Sequence, residues 1–146
     1  MCIRDSIAAN NGALLTEVIY VKQGDNKRFV IVDAAMNDLI RPTLYEAYHP
    51  IVTLPPPQNA IGKADIVGPV CETGDYLGLD RDMPALAAGD RLAVLSAGAY
   101  GAVMASAYNT RPPAGEVLVH DGKAHPLRPA RSLDSLLAEE TIPSFD

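Results

Sequence analysis

Short β-rich runs separated by glycine, aspartate and proline turn signals constrain most tightly what this chain can fold into. Leu14 to Lys22 (LLTEVIYVK) is partly alternating and rich in β-branched residues, the pattern of a half-buried strand. Gly24-Asp25-Asn26 is a turn signal, and Arg28 to Asp33 (RFVIVD) supplies a second, more apolar strand, so the two runs read as a hairpin. Ala64 to Val70 is a third strand; Arg91 to Ser96 is a fourth, opened by Gly89-Asp90 after a loop at Arg81 to Pro84. Glu116 to His120 and Lys123 to Leu127 flank Asp121-Gly122, a pair that suits a tight primed turn, and form the clearest hairpin.

Helical signals are brief. Met36 to Tyr48 fits one or two turns broken by Pro42, the small-residue run ending at Tyr108 suggests another short helix, and Ser132 is a plausible cap for a helix reaching Glu139. Pro55-Pro56-Pro57-Gln58-Asn59 reads as a rigid surface loop. Five or six short strands with few helices predict a mainly β fold, a small β-barrel or sandwich.

The 146 residues suffice for one domain with a genuine core, expected over residues 7–146. Met1-Cys2-Ile3-Arg4-Asp5-Ser6 is unlike the rest of the chain, and residues 1–6 are read as a non-native or irregular head. A net charge of −6 without a dense basic cluster argues against nucleic-acid binding. No apolar run approaches the roughly 20 residues of a membrane helix, so no membrane partner is expected. Cys2 and Cys71 do not make a disulfide framework, and a cytoplasmic location is the expectation. CxxC, HExxH, GxSxG and P-loop patterns are missing, which weakens zinc, hydrolase and nucleotide-binding readings; no metal is expected.

The chemistry-bearing stretch is Cys71-Glu72-Thr73-Gly74-Asp75, a thiol and two carboxylates in one short turn. Gly74 is expected to let the backbone curl there. The residues alone leave Cys71 open between inert core and proton donor, and leave Asp75 and Asp33 as carboxylates bonding their own loops. Arg41 and Tyr45 stand four residues apart; on a helix they share a face suited to clamping a carboxylate, the alternative being an exposed salt-bridging Arg and a core Tyr. Tyr100, between Gly98 and Gly101, lies either where backbone can approach a ligand or at a sheet edge with a local hydroxyl partner. The three histidines, His49, His120 and His125, are scattered, and the last two flank a surface hairpin.

Three segments in order, MNDLIRPTLYEAYHPI (Met36 to Ile51), VGPVCETGDYLGLDR (Val67 to Arg81) and GDRLAVLSAGAYGAVMASAYNTRP (Gly89 to Pro112), resemble the C-terminal domain of the diaminopimelate decarboxylase family. These are pyridoxal-phosphate enzymes of the alanine-racemase type. The resemblance runs from about Ile7 onward. It implies the C-terminal domain of an α/β-barrel plus β-barrel enzyme, a carboxy-lyase converting meso-2,6-diaminopimelate to L-lysine and CO2 at the last step of lysine biosynthesis. The cofactor implied is pyridoxal 5'-phosphate, although its anchoring lysine and the family's Glu-Pro-Gly-Arg run have no counterpart here. An α/β barrel needs roughly 200 residues, so the chain is expected to be a truncated fragment, inactive and unable to bind the cofactor alone. By resemblance Cys71 is the proton donor, Glu72 holds the distal amino group, and Arg41 and Tyr45 bind the distal carboxylate. Tyr100 touches both cofactor and substrate. The family is homodimeric, with each active site shared across the interface and the cysteine loop reaching over. Thr73 stands where the family more often has Ser. Alternatives are a carboxynorspermidine- or ornithine-type decarboxylase fragment, or a non-catalytic β-domain; Arg41 with Glu72 favours a substrate whose far end carries carboxylate and ammonium.

Overall fold

The computed structural model describes residues 3–56 and 62–145, so Met1, Cys2 and the Pro57-Gln58-Asn59 part of the expected loop lie outside the described residues. The chain divides into two compact units, Met1–Ala105 and Ser106–Asp146. The first opens with a short helix α1 (Ile3–Ala8) and a 3-10 turn (Ala9–Asn11). It then contributes strands β1 (Leu14–Gln23), β2 (Arg28–Val32), β3 (Ile51–Leu54), β4 (Gly62–Val67), β5 (Tyr76–Met83) and β6 (Arg91–Val94), with helix α2 (Arg41–Tyr45) between β2 and β3. These strands form one six-stranded sheet in the order β3-β6-β1-β2-β4-β5. All neighbours are antiparallel except β2 and β4, which run parallel.

The ten-residue β1 is the spine of this sheet. Leu14 to Glu17 pair with β6, and after an irregularity between Val18 and Tyr20 the remainder pairs with β2. A bulge bends a strand and increases its twist, so one strand can serve two ladders and the sheet curls into a half-barrel. Thr16 and Val18 point inward while Leu15, Glu17 and Ile19 are exposed, which is the period-two pattern of the sequence. Val18, Val30, Val32, Leu39, Ile66, Leu77, Met83, Leu92 and Val94 form the core inside the curl.

The mainly β expectation holds, with eight strands among the described residues rather than five or six. β3 and β5 were not expected. β3 is only four residues long, set between Pro50 and Pro55, and it is an edge strand where proline is tolerated. β5 contains Gly78 and the charged run Asp80-Arg81-Asp82, and it takes in part of the expected loop at Arg81 to Pro84. It is the opposite edge strand, where charges are tolerated, and its pairing with β4 outweighs its composition. The third strand ends at Val67, before Val70, and the fourth at Val94.

Pro42 starts a helix instead of breaking one. It sits in the first turn of α2, where its missing N–H has no intrahelical partner to lose. The run toward Tyr108 holds two 3-10 turns, Ala102–Met104 and Tyr108–Thr110, in place of a longer helix.

The second unit contains β7 (Glu116–His120), β8 (Lys123–Arg128) and α3 (Leu133–Leu137). The predicted hairpin is present, with Asp121 at φ 50 and Gly122 at φ 71 as a primed turn requires. Ser132 caps α3 by accepting from the Ser135 N–H at 3.1 Å.

Candidate functional site

The first group of predicted residues gathers on α2. Five residues of helix are enough to place Arg41 and Tyr45 on one face, and Glu46 ends the helix in the left-handed conformation at φ 52. Tyr100 arrives from the turn after β6, itself at φ 58. The Arg41 guanidinium carbon lies 5.9 Å from the Tyr45 ring centre and 5.2 Å from that of Tyr100. A cation held against two phenol rings keeps its N–H fork oriented. With two hydroxyls nearby, such a group can receive a carboxylate.

Gly98 and Gly101 serve the chain rather than a ligand. A Cβ on Gly98 would strike the Ala8 carbonyl and lie 2.8 Å from the Gly12 nitrogen. Gly98 N–H bonds the Ala9 carbonyl at 3.0 Å and Ala97 N–H bonds that of Gly12 at 2.9 Å, so the close approach joins the Tyr100 turn to the N-terminal segment.

The second group is the turn between β4 and β5. Cys71, Glu72 and Thr73 are exposed, which removes the inert-core reading of the thiol. Asp75 beneath them is only 4% exposed. Its carboxylate accepts from the Val70 N–H and from the Met36 N–H, each at 2.7 Å. Its own N–H donates to the Glu72 carbonyl at 3.0 Å, and its carbonyl accepts from Gly68 at 3.0 Å. Asp75 therefore bonds its own loop, as expected, and also a segment 39 residues away. Asp33 likewise reaches beyond its loop: Oδ1 accepts from Thr16 Oγ1 at 2.5 Å and from Glu17 N–H at 2.9 Å.

Gly74 has a different purpose from the one expected. Its φ is not among the positive ones, but a Cβ there would lie 2.7 Å from Thr43 Cγ2. Thr43 Oγ1 donates to the Gly74 carbonyl, and Tyr76 OH donates to the Pro42 carbonyl at 3.3 Å. The two groups of predicted residues are thus joined through α2, which carries Arg41 and Tyr45 on one side and holds the cysteine turn through Pro42 and Thr43.

Sequence reasoning missed a cleft of about 170 Å³ lined by Arg41, Tyr48, His49 and Ser96 among small residues. His49 is 3% exposed; its Nδ1 stands 3.0 Å from the Leu95 carbonyl and its Nε2 has no hydrogen-bond partner among the described residues. Burial pushes the imidazole below its usual range; the Leu95 carbonyl opposes this, and the Arg41 and Arg81 charges add to it. Arg81 lies 3.8 Å over the Tyr48 ring, in space left by Gly78, whose Cβ would meet Arg81 Nε at 2.6 Å. The signal in the sequence was a histidine directly before a proline that opens a strand.

Residues 6–98 match the family described as pyridoxal-dependent decarboxylase, C-terminal sheet domain. The chain belongs to this family. The match accounts for the curled sheet, and family membership makes pyridoxal phosphate the relevant cofactor. Diaminopimelate decarboxylase of Pseudomonas aeruginosa is 54% identical over 137 residues, covering 94% of this chain and 33% of that protein. The diaminopimelate decarboxylase of Zymomonas mobilis is 52% identical over 135 residues, 92% of this chain and 32% of that protein. A crystal structure of diaminopimelate decarboxylase from Helicobacter pylori complexed with L-lysine superposes with a TM-score of 0.85 at 44% identity, over 92% of this chain and 33% of that one. The chain spans about a third of the length of the curated relatives it matches.

The described residues do not fit covalent anchoring of the cofactor, since no described lysine stands in the Arg41 cleft. Lys27 pairs with Asp65 at 2.8 Å and Lys63 with Asp82 at 2.9 Å, while Lys22 and Lys123 are exposed on β1 and β8; none lines the Arg41 cleft. No described helix is long and apolar enough to cross a membrane.

Proposed function

We propose that this chain is the C-terminal sheet domain of a diaminopimelate decarboxylase, releasing CO2 from meso-diaminopimelate to leave L-lysine. The observation that carries the reading is the Arg41 guanidinium set against the Tyr45 and Tyr100 rings, a seat for a carboxylate remote from the reacting carbon. The names of the relatives at about half identity support the same substrate.

Arg41 receives the far carboxylate in its N–H fork, and the Tyr45 hydroxyl donates beside it. Glu72 accepts from the far ammonium, so the two ends of one amino-acid group meet opposite charges. Tyr100 touches cofactor and substrate together. Pyridoxal phosphate, when bound, supplies the electron sink that takes up the charge left on carbon as CO2 departs. The Cys71 thiol would then deliver its proton to that carbon, and the thiolate would regain a proton from water as product leaves. A second copy of the protein contributes the Cys71 turn to each site, making the working unit a homodimer. The reaction belongs in the cytoplasm.

The test is turnover by the full-length enzyme carrying this domain. With cofactor it should release CO2 from meso-diaminopimelate and discriminate strongly against ornithine and lysine, which lack the far carboxylate. Arg41→Ala should raise KM for diaminopimelate by about 100-fold, the scale of a lost charge-assisted pair. No turnover of diaminopimelate, or equal turnover of ornithine, would overturn the assignment.

A further inference from the structure

We propose that Asp75 is the positioning residue of the Cys71–Glu72 turn, one buried carboxylate that sets where thiol and glutamate stand relative to α2. The inference rests on the decarboxylase reading for its catalytic consequence and on geometry alone for its structural one.

The two oxygens of Asp75 are divided between two segments. Oδ2 takes the N–H of Val70, the residue before Cys71, and Oδ1 takes the N–H of Met36, in the segment that leads to Arg41. A backbone amide has one fixed direction, so each bond sets the orientation of a peptide plane. Together they place the start of the cysteine turn against the α2 segment. Thr43 Oγ1 on the Gly74 carbonyl closes the turn from its other end.

The neighbouring sequence is built around this carboxylate. A Cβ on Gly68 would lie 2.7 Å from Asp75 Cγ and nearer still to both oxygens, so glycine is required there for space and not for an unusual φ. Buried charge is retained at a cost unless it is fully bonded. Here it is bonded wholly to backbone, and the catalytic candidates are left facing solvent. Asp75 touches no reacting atom. Its role acts through the turn.

Two routes remove the carboxylate from its seat. Asp75→Asn keeps one acceptor and turns an amide N–H₂ toward the other donor; Gly68→Ala evicts the carboxylate while leaving Asp75 in the chain. If Asp75→Ala fails to fold, these two still decide the matter. In a Cys2→Ser background, where Cys71 is the only thiol, both should change the rate of Cys71 alkylation by about fivefold or more. Both should also speed hydrogen exchange at Val70 and Met36 by about tenfold, the shift expected when a bond worth about 1.4 kcal/mol is lost. Gly68→Ala should add little in an Asp75→Ala background, since the group it displaces is gone.

In the full-length holoenzyme, assayed per bound cofactor and below the unfolding temperature, kcat should fall by about 10- to 100-fold, the scale of a misplacement near 1 Å. Asp75→Glu, which keeps the charge but lengthens the arm, should recover only part. Unchanged alkylation in both variants would overturn the proposal. So would accelerated exchange with kcat and KM untouched, which would make Asp75 a stability residue only. A wild-type enzyme that ignores diaminopimelate would sink the function proposed above, while alkylation and exchange would still decide the role of Asp75.

Discussion

The Cys71 turn and the Asp121-Gly122 turn both connect neighbouring antiparallel strands, and they are held in opposite ways. In the hairpin of β7 and β8 everything needed is local: two residues with positive φ and a ladder between immediate neighbours. In the cysteine turn the decisive partners are distant, the Met36 amide 39 residues from Asp75 and the Thr43 hydroxyl 31 residues from Gly74. A locally coded turn forms wherever its two strands do. A turn coded by tertiary bonds has a defined position relative to another element of its own chain, which is what a turn that must reach into a shared site requires.

Replacing Asp75 with alanine should break this comparison most severely. It leaves one buried and one half-buried amide without its partner and should destabilise the first unit by about 3 kcal/mol, read by urea unfolding. Amide exchange in the β7–β8 hairpin should not change; a hairpin that loosened equally would mean the two turns do not differ as described.

Gly74→Ala comes next. Its Cβ would fall 2.7 Å from Thr43 Cγ2, an overpacking expected to cost about 2 kcal/mol. Thr43→Ser keeps the hydroxyl bonded to the Gly74 carbonyl and removes the offending methyl. The double variant should therefore recover most of the loss, and a double-mutant cycle of stabilities checks this. Additive losses would mean that Gly74 is present for backbone freedom after all.

The same contrast explains what the sequence disclosed. The hairpin, the Ser132 cap and the β1–β2 pair were legible because propensity, alternation and turn chemistry lie within a few residues of one another. The four-residue spacing of Arg41 and Tyr45 was legible for the same reason. Illegible were the purposes of Gly68 and Gly74, each of which leaves room for a side chain that the fold brings near: Asp75 and Thr43. Strand β5 was missed because its edge position, not its composition, allows Asp80-Arg81-Asp82 to be strand. Pro42 was misread because a helix-breaking residue and a helix-starting one are the same residue one turn apart.

A smaller effect is expected from Gly122→Ala. Gly122 sits at φ 71 with nothing within 4 Å of where a Cβ would stand, so the cost is conformational alone. It should be about 1 kcal/mol and confined to the hairpin, appearing as faster exchange at Val119 and Lys123 with the first unit's unfolding midpoint unmoved. A shift in that midpoint would show that the turn is not locally coded.

His49 sharpens the comparison at its weakest point, because it too is placed by a distant bond, to the Leu95 carbonyl, but carries a titratable ring. Burial holds its proton affinity below the ordinary value near 6.5, so the unfolded chain takes up a proton at higher pH than the folded one does. Stability from keeping this ring neutral is therefore complete above about pH 6.5 and is lost as pH falls toward the lowered folded value. His49→Asn retains a donor near the position of Nδ1 and cannot titrate. Unfolding measured from pH 7.5 down to 5.5 should show wild type losing stability relative to His49→Asn across the lower part of that range. Parallel curves would place the ring in solvent contact, and burial would then not be what sets its proton affinity.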